Sequence, residues 1–198
     1  MDITWLGDNS FKISDEIIDV VVNPAKNLES SLISDKTVIV CTESGNQYES
    51  KTSKVETPGE YEINDASIHG VANSVIKDDN KSISTCYRIE SRGLSIAVIG
   101  MIGSPLDSEA LSVLGSSHIV LFSPENKNID SEILANTIRS IEPKKILISG
   151  YDKGSKKSST SLDAIVKVLG IKEIEPKNKA SVTISSLGDS QEIIILEN

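Results

Sequence analysis

Histidine and cysteine are scarce in this chain, which has two of each among 198 residues. They are His69, His118, Cys41 and Cys86. A two-metal hydrolytic centre needs several imidazoles and carboxylates at one point, so this shortage argues against such a centre. The two cysteines are too few and too far apart for a disulfide framework. We therefore expect reduced thiols and a cytoplasmic location.

Aromatic residues, long apolar runs and positive charge are also in short supply. Aromatics make up 4% of the residues, so the core must be built from isoleucine, valine and leucine, which favour strands. No apolar run approaches the ~20 residues that span a bilayer, and the acidic, polar start of the sequence does not resemble a signal peptide. We expect a soluble protein with no membrane partner. The chain is acidic, with a net charge of −9, which disfavours nucleic-acid binding.

The order of apolar segments predicts an α/β fold with layered (α+β) packing. Short strands fill the first half, and strands alternate with helices in the second. Strands are predicted at 3–6, 11–14, 17–22, 37–41, 53–56, 61–63, 66–71, 82–90, 94–99, 118–122 and 145–149. Helices are predicted at 107–114, 130–141 and 160–169, each with a polar residue near its start and glycine or proline after its end. Segments 180–186 and 191–196 are predicted to pair as a hairpin. A chain of this length forms one domain, 1–198.

Several local patterns, spread in order over nearly the whole chain, carry a resemblance to a known family. They are Ile3-Thr4-Trp5-Leu6-Gly7 with Ser10-Phe11, Asn23-Pro24, Thr57-Pro58-Gly59-Glu60-Tyr61-Glu62, Gly93-Leu94 leading into Ile99-Gly100, Ile141-Glu142-Pro143-Lys144, and Glu175-Pro176 with Ser181-Val182-Thr183. Together they resemble the small metal-dependent hydrolase branch of the metallo-β-lactamase superfamily. The resemblance implies an αββα sandwich with its active site along one edge, at the carboxyl ends of the strands. It also implies two zinc or similar divalent ions.

The resemblance further implies where the metal ligands should stand, and each of those positions holds another residue. The family's histidine after Gly7 is Asp8, and its Asp-Pro is Asn23-Pro24. Its His-x-His-x-Asp-His loop corresponds to the stretch Thr42, Glu43, Ser44, Gly45, Asn46, Gln47. The aspartate expected after Ile99-Gly100 is Met101, and the last histidine is Gly150. Neutral hydroxyls, amides and a thioether are poor zinc ligands, so we expect no metal cofactor.

These replacements predict a pseudoenzyme, a protein that keeps the scaffold and binds an unknown small molecule or protein through a vestigial cleft. The cleft is predicted to contain Asp8, Asn23, Thr42, Glu43, Ser44, Asn46, Gln47, Met101, Gly150 and Asp152. A homo-oligomer is compatible with this hypothesis. So is a structural subunit that pairs with a metal-competent relative.

An alternative hypothesis is a hydrolase that uses a different site in the same cleft. Asp8, Glu43 and Asp152 could hold Mg²⁺, Ca²⁺ or Mn²⁺ through oxygen, although solvent-facing rim positions are the more common role for such residues. His69 could act as a metal-free base, but a lone histidine is more often structural. The same holds for His118. Ser10 and Ser44 lack the glycines of a nucleophile elbow.

Overall fold

The computed structural model describes residues 1–77, 80–124 and 131–198, and within these residues two β-sheets pack face to face. Six strands form the first sheet in the order β13-β1-β2-β3-β4-β5. Their bounds are β1 Asp2–Gly7, β2 Ser10–Ser14, β3 Asp19–Val22, β4 Thr37–Val40, β5 Ser53–Val55 and β13 Lys179–Ser181. The pairs β3–β4 and β4–β5, at one end of this order, are parallel.

Eight strands of the described residues form the second sheet, in the order β12-β11-β10-β9-β8-β7-β6 with β14 paired to β11. Their bounds are β6 Gly59–Ile63, β7 Ala66–Lys77, β8 Asn80–Ser91, β9 Leu94–Val98, β10 Ile119–Phe122, β11 Lys145–Asp152, β12 Lys157–Ser158 and β14 Glu192–Glu197. Strands β9, β10, β11 and β14 run parallel. The carboxyl ends of the parallel strands of both sheets therefore point to one edge of the sandwich.

The core between the sheets is built from aliphatic side chains, as the shortage of aromatics predicts. Alternate residues of each strand face inward, for example Val20 and Val22 of β3 and Ile96 and Val98 of β9. All four are at most 2% exposed. This alternation is the period of two that a half-buried strand requires.

Three α-helices of the described residues cover the outer face of the second sheet. They are α1 Ser108–Leu114, α2 Ser131–Ile141 and α3 Thr160–Leu169. The predicted caps are confirmed for α1, where the Asp107 carboxylate accepts from the Ala110 amide, and for α3, which ends at Gly170 with a left-handed φ of 72°. The predicted start of α2 at Asp130 lies outside the described residues. The outer face of the first sheet is covered by loop residues such as Leu28, Ile33 and Tyr48.

The predicted α/β layered sandwich is confirmed, but the predicted C-terminal hairpin is wrong. Strand β13 pairs antiparallel with β1 in the first sheet, whereas β14 pairs parallel with β11 in the second. The reason is burial on both faces of β14: Ile194 and Leu196 enter the core between the sheets, while Ile195 packs under the helices. A two-stranded hairpin cannot bury both faces of a strand, whereas a strand of a parallel sheet that lies between the core and the helices can.

Within the described residues, no helix is both long and apolar enough to cross a lipid bilayer.

Tyr87 ties the two sheets together close to the edge where the parallel strands end. This β8 residue is fully buried, and its hydroxyl lies 3.1 Å from the Cys41 carbonyl oxygen and 3.3 Å from that of Thr57. Cys41 and Thr57 follow strands β4 and β5 of the opposite sheet. Burial raises the pKa of Tyr87, so its hydroxyl stays protonated and can donate.

We predict that Tyr87→Phe lowers the free energy of unfolding by about 1–2 kcal/mol, because the buried Cys41 carbonyl oxygen loses the Tyr87 hydroxyl as a donor. Urea titration followed by circular dichroism measures this loss. Tyr151→Phe is the matched control, since Tyr151 makes no hydrogen bond through its hydroxyl within the described residues. Equal losses in the two variants would contradict the prediction.

Candidate functional site

The ends of β3, β4 and β9 meet at the sandwich edge, where they place Asn23, Thr42 and Gly100 side by side. Asn23 Oδ1 accepts from the Thr42 backbone N–H at 2.8 Å and lies 3.2 Å from the Thr42 hydroxyl. Asn23 Nδ2 lies 3.0 Å from the same hydroxyl and 3.4 Å from the Asn9 carbonyl oxygen. Asn23 has a φ of 46°, a left-handed conformation that asparagine tolerates better than most residues. Both ends of its amide are therefore engaged by protein.

Thr42 also connects to the second sheet through its carbonyl oxygen. This oxygen accepts from the Ser84 hydroxyl at 3.1 Å and from the Thr85 backbone N–H at 2.7 Å. The Ser84 hydroxyl in turn accepts from the Met101 backbone N–H at 2.8 Å, and the Asn73 side-chain amide donates to the Met101 carbonyl oxygen at 3.2 Å. These contacts anchor the backbone of Met101, whose side chain is 5% exposed.

Gly100 follows β9 and packs against the neighbouring strand β8 of its own sheet, and against Thr42 of the opposite sheet. A Cβ atom on Gly100 would lie 2.5 Å from Ser84 Oγ and 2.6 Å from the Thr85 carbonyl oxygen. Both distances are shorter than a carbon atom can approach an oxygen atom. This position therefore requires glycine because any side chain would clash, and not because of the backbone conformation.

The space left among these residues is very small. It is a cavity of about 10 Å³, called here the central cavity, lined by Asn9, Phe11, Val22, Asn23, Thr42, Val98, Ile99, Gly100 and Ser123. This is the volume that one water molecule needs. Within the described part of the chain, Asn9 Oδ1 is buried and has no protein partner. The lining supplies neutral oxygens and amides only, which do not fit two zinc ions.

A larger, open cavity of about 430 Å³ lies beside the central cavity and is called here the edge cleft. It is lined by Trp5, Gly7, Asp8, Gly150, Asp152, Ser155, Ser158, Ser159 and Asn198. Asp8 is held by its own backbone: its φ is 44°, and its carbonyl oxygen accepts from Trp5 Nε1 at 2.9 Å and from the Ser123 hydroxyl at 3.2 Å. The carboxylate of Asp8 is exposed.

The second carboxylate of the edge cleft is already bound within its own loop. Asp152 Oδ2 accepts from the Ser155 hydroxyl at 2.8 Å, while Oδ1 accepts from the backbone N–H groups of Gly154 at 2.8 Å and Ser155 at 3.3 Å. The Ser155 hydroxyl, followed by these amides, lowers the pKa of Asp152. Asp152 therefore stays ionised but has little capacity left for a ligand.

The structure divides the predicted cleft residues into three groups. Asn23 and Thr42 line the central cavity and Met101 is joined to them through Ser84, whereas Asp8, Gly150 and Asp152 line the edge cleft. The other four, Glu43, Ser44, Asn46 and Gln47, lie on the loop after β4.

The Asn46 side chain of this loop is tied to the residues that follow β3. Its side-chain amide donates to the Pro24 carbonyl oxygen at 3.1 Å. Ser44 and Gln47 are exposed, and Glu43 forms an isolated backbone bridge with Ser84.

Neither histidine lies in the cavity or the cleft. His69 is half-buried on β7 and lines a separate groove of about 540 Å³ beside α1, together with Glu60 and Glu109. His118 Nδ1 lies 2.8 Å from the Ser95 hydroxyl and accepts from the Ser95 backbone N–H at 3.2 Å, which gives it a structural role. Within the described residues, no group of three or more His, Cys, Asp or Glu side chains could hold a metal ion.

Comparison with known proteins gives a family and a fold. Residues 2–148 match the family described as "Beta-lactamase superfamily domain". A similar solved structure is that of a Thermotoga maritima protein, described as a candidate Zn-dependent hydrolase of the metallo-β-lactamase superfamily. It is 18% identical with a TM-score of 0.75, and the match covers 99% of this chain and 98% of that one. The metallo-β-lactamase fold protein YhfI from Bacillus subtilis is 7% identical with a TM-score of 0.59, covering 98% and 95%.

The short form of human tRNase Z also matches, at 7% identity and a TM-score of 0.50, covering 75% of this chain and 92% of that one. At such low identities these structures establish the fold alone. A comparison with curated protein sequences finds no match.

The first prediction from this geometry concerns the Asn23–Thr42 contact. Asn23→Gly keeps the positive φ accessible but removes four polar contacts, three of them to Thr42, and it leaves the buried Thr42 hydroxyl and backbone N–H without Asn23 as a partner. We expect the free energy of unfolding to fall by about 2–3 kcal/mol. Urea titration measures the change, with Asn27→Gly at an exposed position as the control. A loss no larger than in the control would show that the contact is not structural.

The second prediction concerns the two cysteines, whose thiols are buried. Burial raises the pKa of both Cys41 and Cys86 to about 11 from an ordinary value of 9.0. Between these values the unfolded chain loses thiol protons that the folded chain keeps, so the free energy of unfolding falls as pH rises from 9 to 11. The folded protein should also react very slowly with a thiol reagent at pH 8.

The Cys41→Ala/Cys86→Ala double variant isolates this effect from other groups that titrate at high pH. We expect its stability to fall less steeply over the same pH interval in urea titrations. Identical slopes for the two proteins would contradict the assignment.

Proposed function

This chain belongs to the metallo-β-lactamase superfamily, and we propose that it is a member without the metallohydrolase centre, acting as a binding protein through the edge cleft. Two features of the same edge of the sandwich support this proposal. The central cavity is too small and too neutral for metal chemistry, and the edge cleft is open and can receive a ligand.

The observation that carries this proposal is the contact between Asn23 and Thr42. These residues stand where the family resemblance places an orienting aspartate and the first histidine of the signature loop. Here they satisfy each other through two hydrogen bonds to Asn23 Oδ1 and one contact from Nδ2, at 2.8–3.2 Å. A metal ion would have to break these contacts, and it would gain neutral oxygens in place of anionic or imidazole ligands.

The edge cleft supports the binding role, because it remains open while the central cavity is closed. Its volume of about 430 Å³ falls within the usual range of small-molecule sites. Asp8, which stands where the family resemblance places a histidine, contributes an exposed carboxylate to its wall.

The alternative function is a hydrolase that holds a hard cation with Asp8, Glu43 and Asp152. Two of these residues line the edge cleft, which favours the idea in part. Against it, the Asp152 carboxylate accepts three hydrogen bonds within its own loop, and Glu43 is not among the residues that line the cleft. Hard cations prefer six or more oxygen ligands, several of them anionic.

Metal analysis of tag-free protein, produced with ample zinc, manganese and iron, tests the proposal. We expect far less than one metal ion per chain. We also expect no rise in the melting temperature when Zn²⁺, Mn²⁺, Mg²⁺ or Ca²⁺ is added, because an ion that binds the folded state would stabilise it by mass action.

Two results would overturn the proposal, and they point to different alternatives. Stoichiometric bound metal would indicate that the chain is a metallohydrolase. A rise in melting temperature with Mg²⁺ or Ca²⁺ that disappears in both Asp8→Asn and Asp152→Asn, but persists in the exposed control Asp35→Asn, would support the hard-cation hydrolase.

A further inference from the structure

The edge cleft presents hydrogen-bonding groups that the fold itself does not use. Within the described residues, neither the Asp8 carboxylate nor the Ser158 hydroxyl has a partner in the protein, and the Asn198 side chain is exposed beside them. The other polar lining groups are occupied, since Ser155 binds Asp152 and the Ser159 hydroxyl accepts from the Leu162 backbone N–H at 3.1 Å. A ligand would therefore meet the Asp8 carboxylate, which is a strong acceptor, and the Ser158 hydroxyl and Asn198 amide, which can both donate and accept.

The charge of the lining selects against anions. Asp8 and Asp152 are both carboxylates, and the described side chains that line the cleft include no Lys, Arg or His. An anionic ligand would lose its hydration without gaining a countercharge, which is unfavourable. One free carboxylate is, conversely, too few for a bare metal ion.

Trp5 gives the cleft an apolar surface. Its indole N–H is already bound to the Asp8 carbonyl oxygen, so only carbon atoms of the ring remain to meet a ligand. The side chain is held rigidly, with 8% of its surface exposed. The indole of Trp5 offers an apolar contact for the C–H groups of a ligand. The Asp8 carboxylate and the Ser158 hydroxyl beside it suit a ligand that also carries several hydroxyl groups.

We infer that the edge cleft binds a small neutral polyol of mono- or disaccharide size, with Asp8 accepting from its hydroxyl groups. This inference rests on the proposed function, because it names the ligand class of the same cleft. The hydroxyls of such a ligand donate to Asp8 and exchange hydrogen bonds with Ser158, while its C–H groups contact Trp5.

The chain contains a single tryptophan, so its fluorescence reports this cleft specifically. The test titrates the full chain with glucose, N-acetylglucosamine, maltose and lactose. Inorganic phosphate and glucose 6-phosphate serve as anionic probes, and spermidine as a cationic one. Isothermal titration calorimetry of the same pairs detects a ligand that binds without changing the fluorescence.

We expect saturable binding of at least one neutral sugar and none of phosphate or spermidine. Asp8→Asn keeps the shape and tolerates the positive φ, and it should weaken sugar binding about 10-fold or more, because it removes a charged acceptor. Ser158→Ala should weaken binding about 3-fold to 10-fold, as a neutral hydrogen bond is lost. Asp35→Asn, an exposed change on the loop before β4, should leave the affinity unchanged.

Three results would each overturn the inference. The first is no sugar binding by either method, and the second is tighter binding of an anion or of spermidine than of any sugar. The third is equal sugar affinity in Asp8→Asn and Asp35→Asn. If the protein contains no metal, any of these results contradicts the sugar ligand but not the proposed function. Stoichiometric bound metal contradicts the proposed function itself, so the two outcomes can be distinguished.

Discussion

The backbone and hydroxyl of Thr42 join the two sheets at the edge where the parallel strands end. Its hydroxyl and N–H bind Asn23 of the first sheet, while its carbonyl oxygen receives Ser84 and Thr85 from the second. A Cβ atom on Gly100 would lie 3.1 Å from Thr42 Cβ, so glycine at this position lets Thr42 come close to the second sheet. The sandwich is therefore closed by uncharged hydrogen bonds at the point where relatives with the family's ligand pattern would carry a charged centre.

Neutral side chains suit this point of the sandwich, because no charge is then buried there without a partner. Several carboxylates in a buried cluster repel one another and pay for desolvation unless a cation is present. Amide and hydroxyl groups in the same place can satisfy one another at little cost, provided each donor meets an acceptor. Asn23 and Thr42 meet this requirement in pairs, so their contact needs no counterion. An aspartate in place of Asn23 alone would bring a charge without a counterion.

A feature of this fold can be predicted from the sequence when the interactions that determine it are local in the chain. The helices were predicted with good bounds because their signals, such as Asp107 before α1 and Gly170 after α3, act within one turn. Strand β14 was assigned to the wrong partner because its isoleucines specify burial on both faces without specifying a neighbour.

The same distinction separates the predicted site residues from those that were missed. Asn23 and Thr42 were named from their positions in the family pattern. Ser84, which donates to Thr42, and Asn73, which donates to Met101, were missed. The contact between Ser84 and Thr42 spans 42 residues and depends on the register of the β7–β8 pair. No local pattern distinguishes a buried serine in a polar strand from an exposed one. Ser123 was missed for the same reason, since it reaches the cleft through the carbonyl oxygen of Asp8, 115 residues away.

The separation of a closed central cavity from an open edge cleft is what makes a binding role physically coherent. The carbonyl oxygen of Asp8 is fixed by Trp5 and Ser123, while its carboxylate lines the edge cleft. The backbone of Asp8 is thus held by packing next to the central cavity, which limits the conformational entropy that this residue would lose on binding a ligand. In the proposed function, a residue at a position that the family resemblance gives to a metal ligand serves recognition instead. The scaffold then contributes rigidity, and the chemistry of the ligand is decided by the few side chains that the fold leaves unsatisfied.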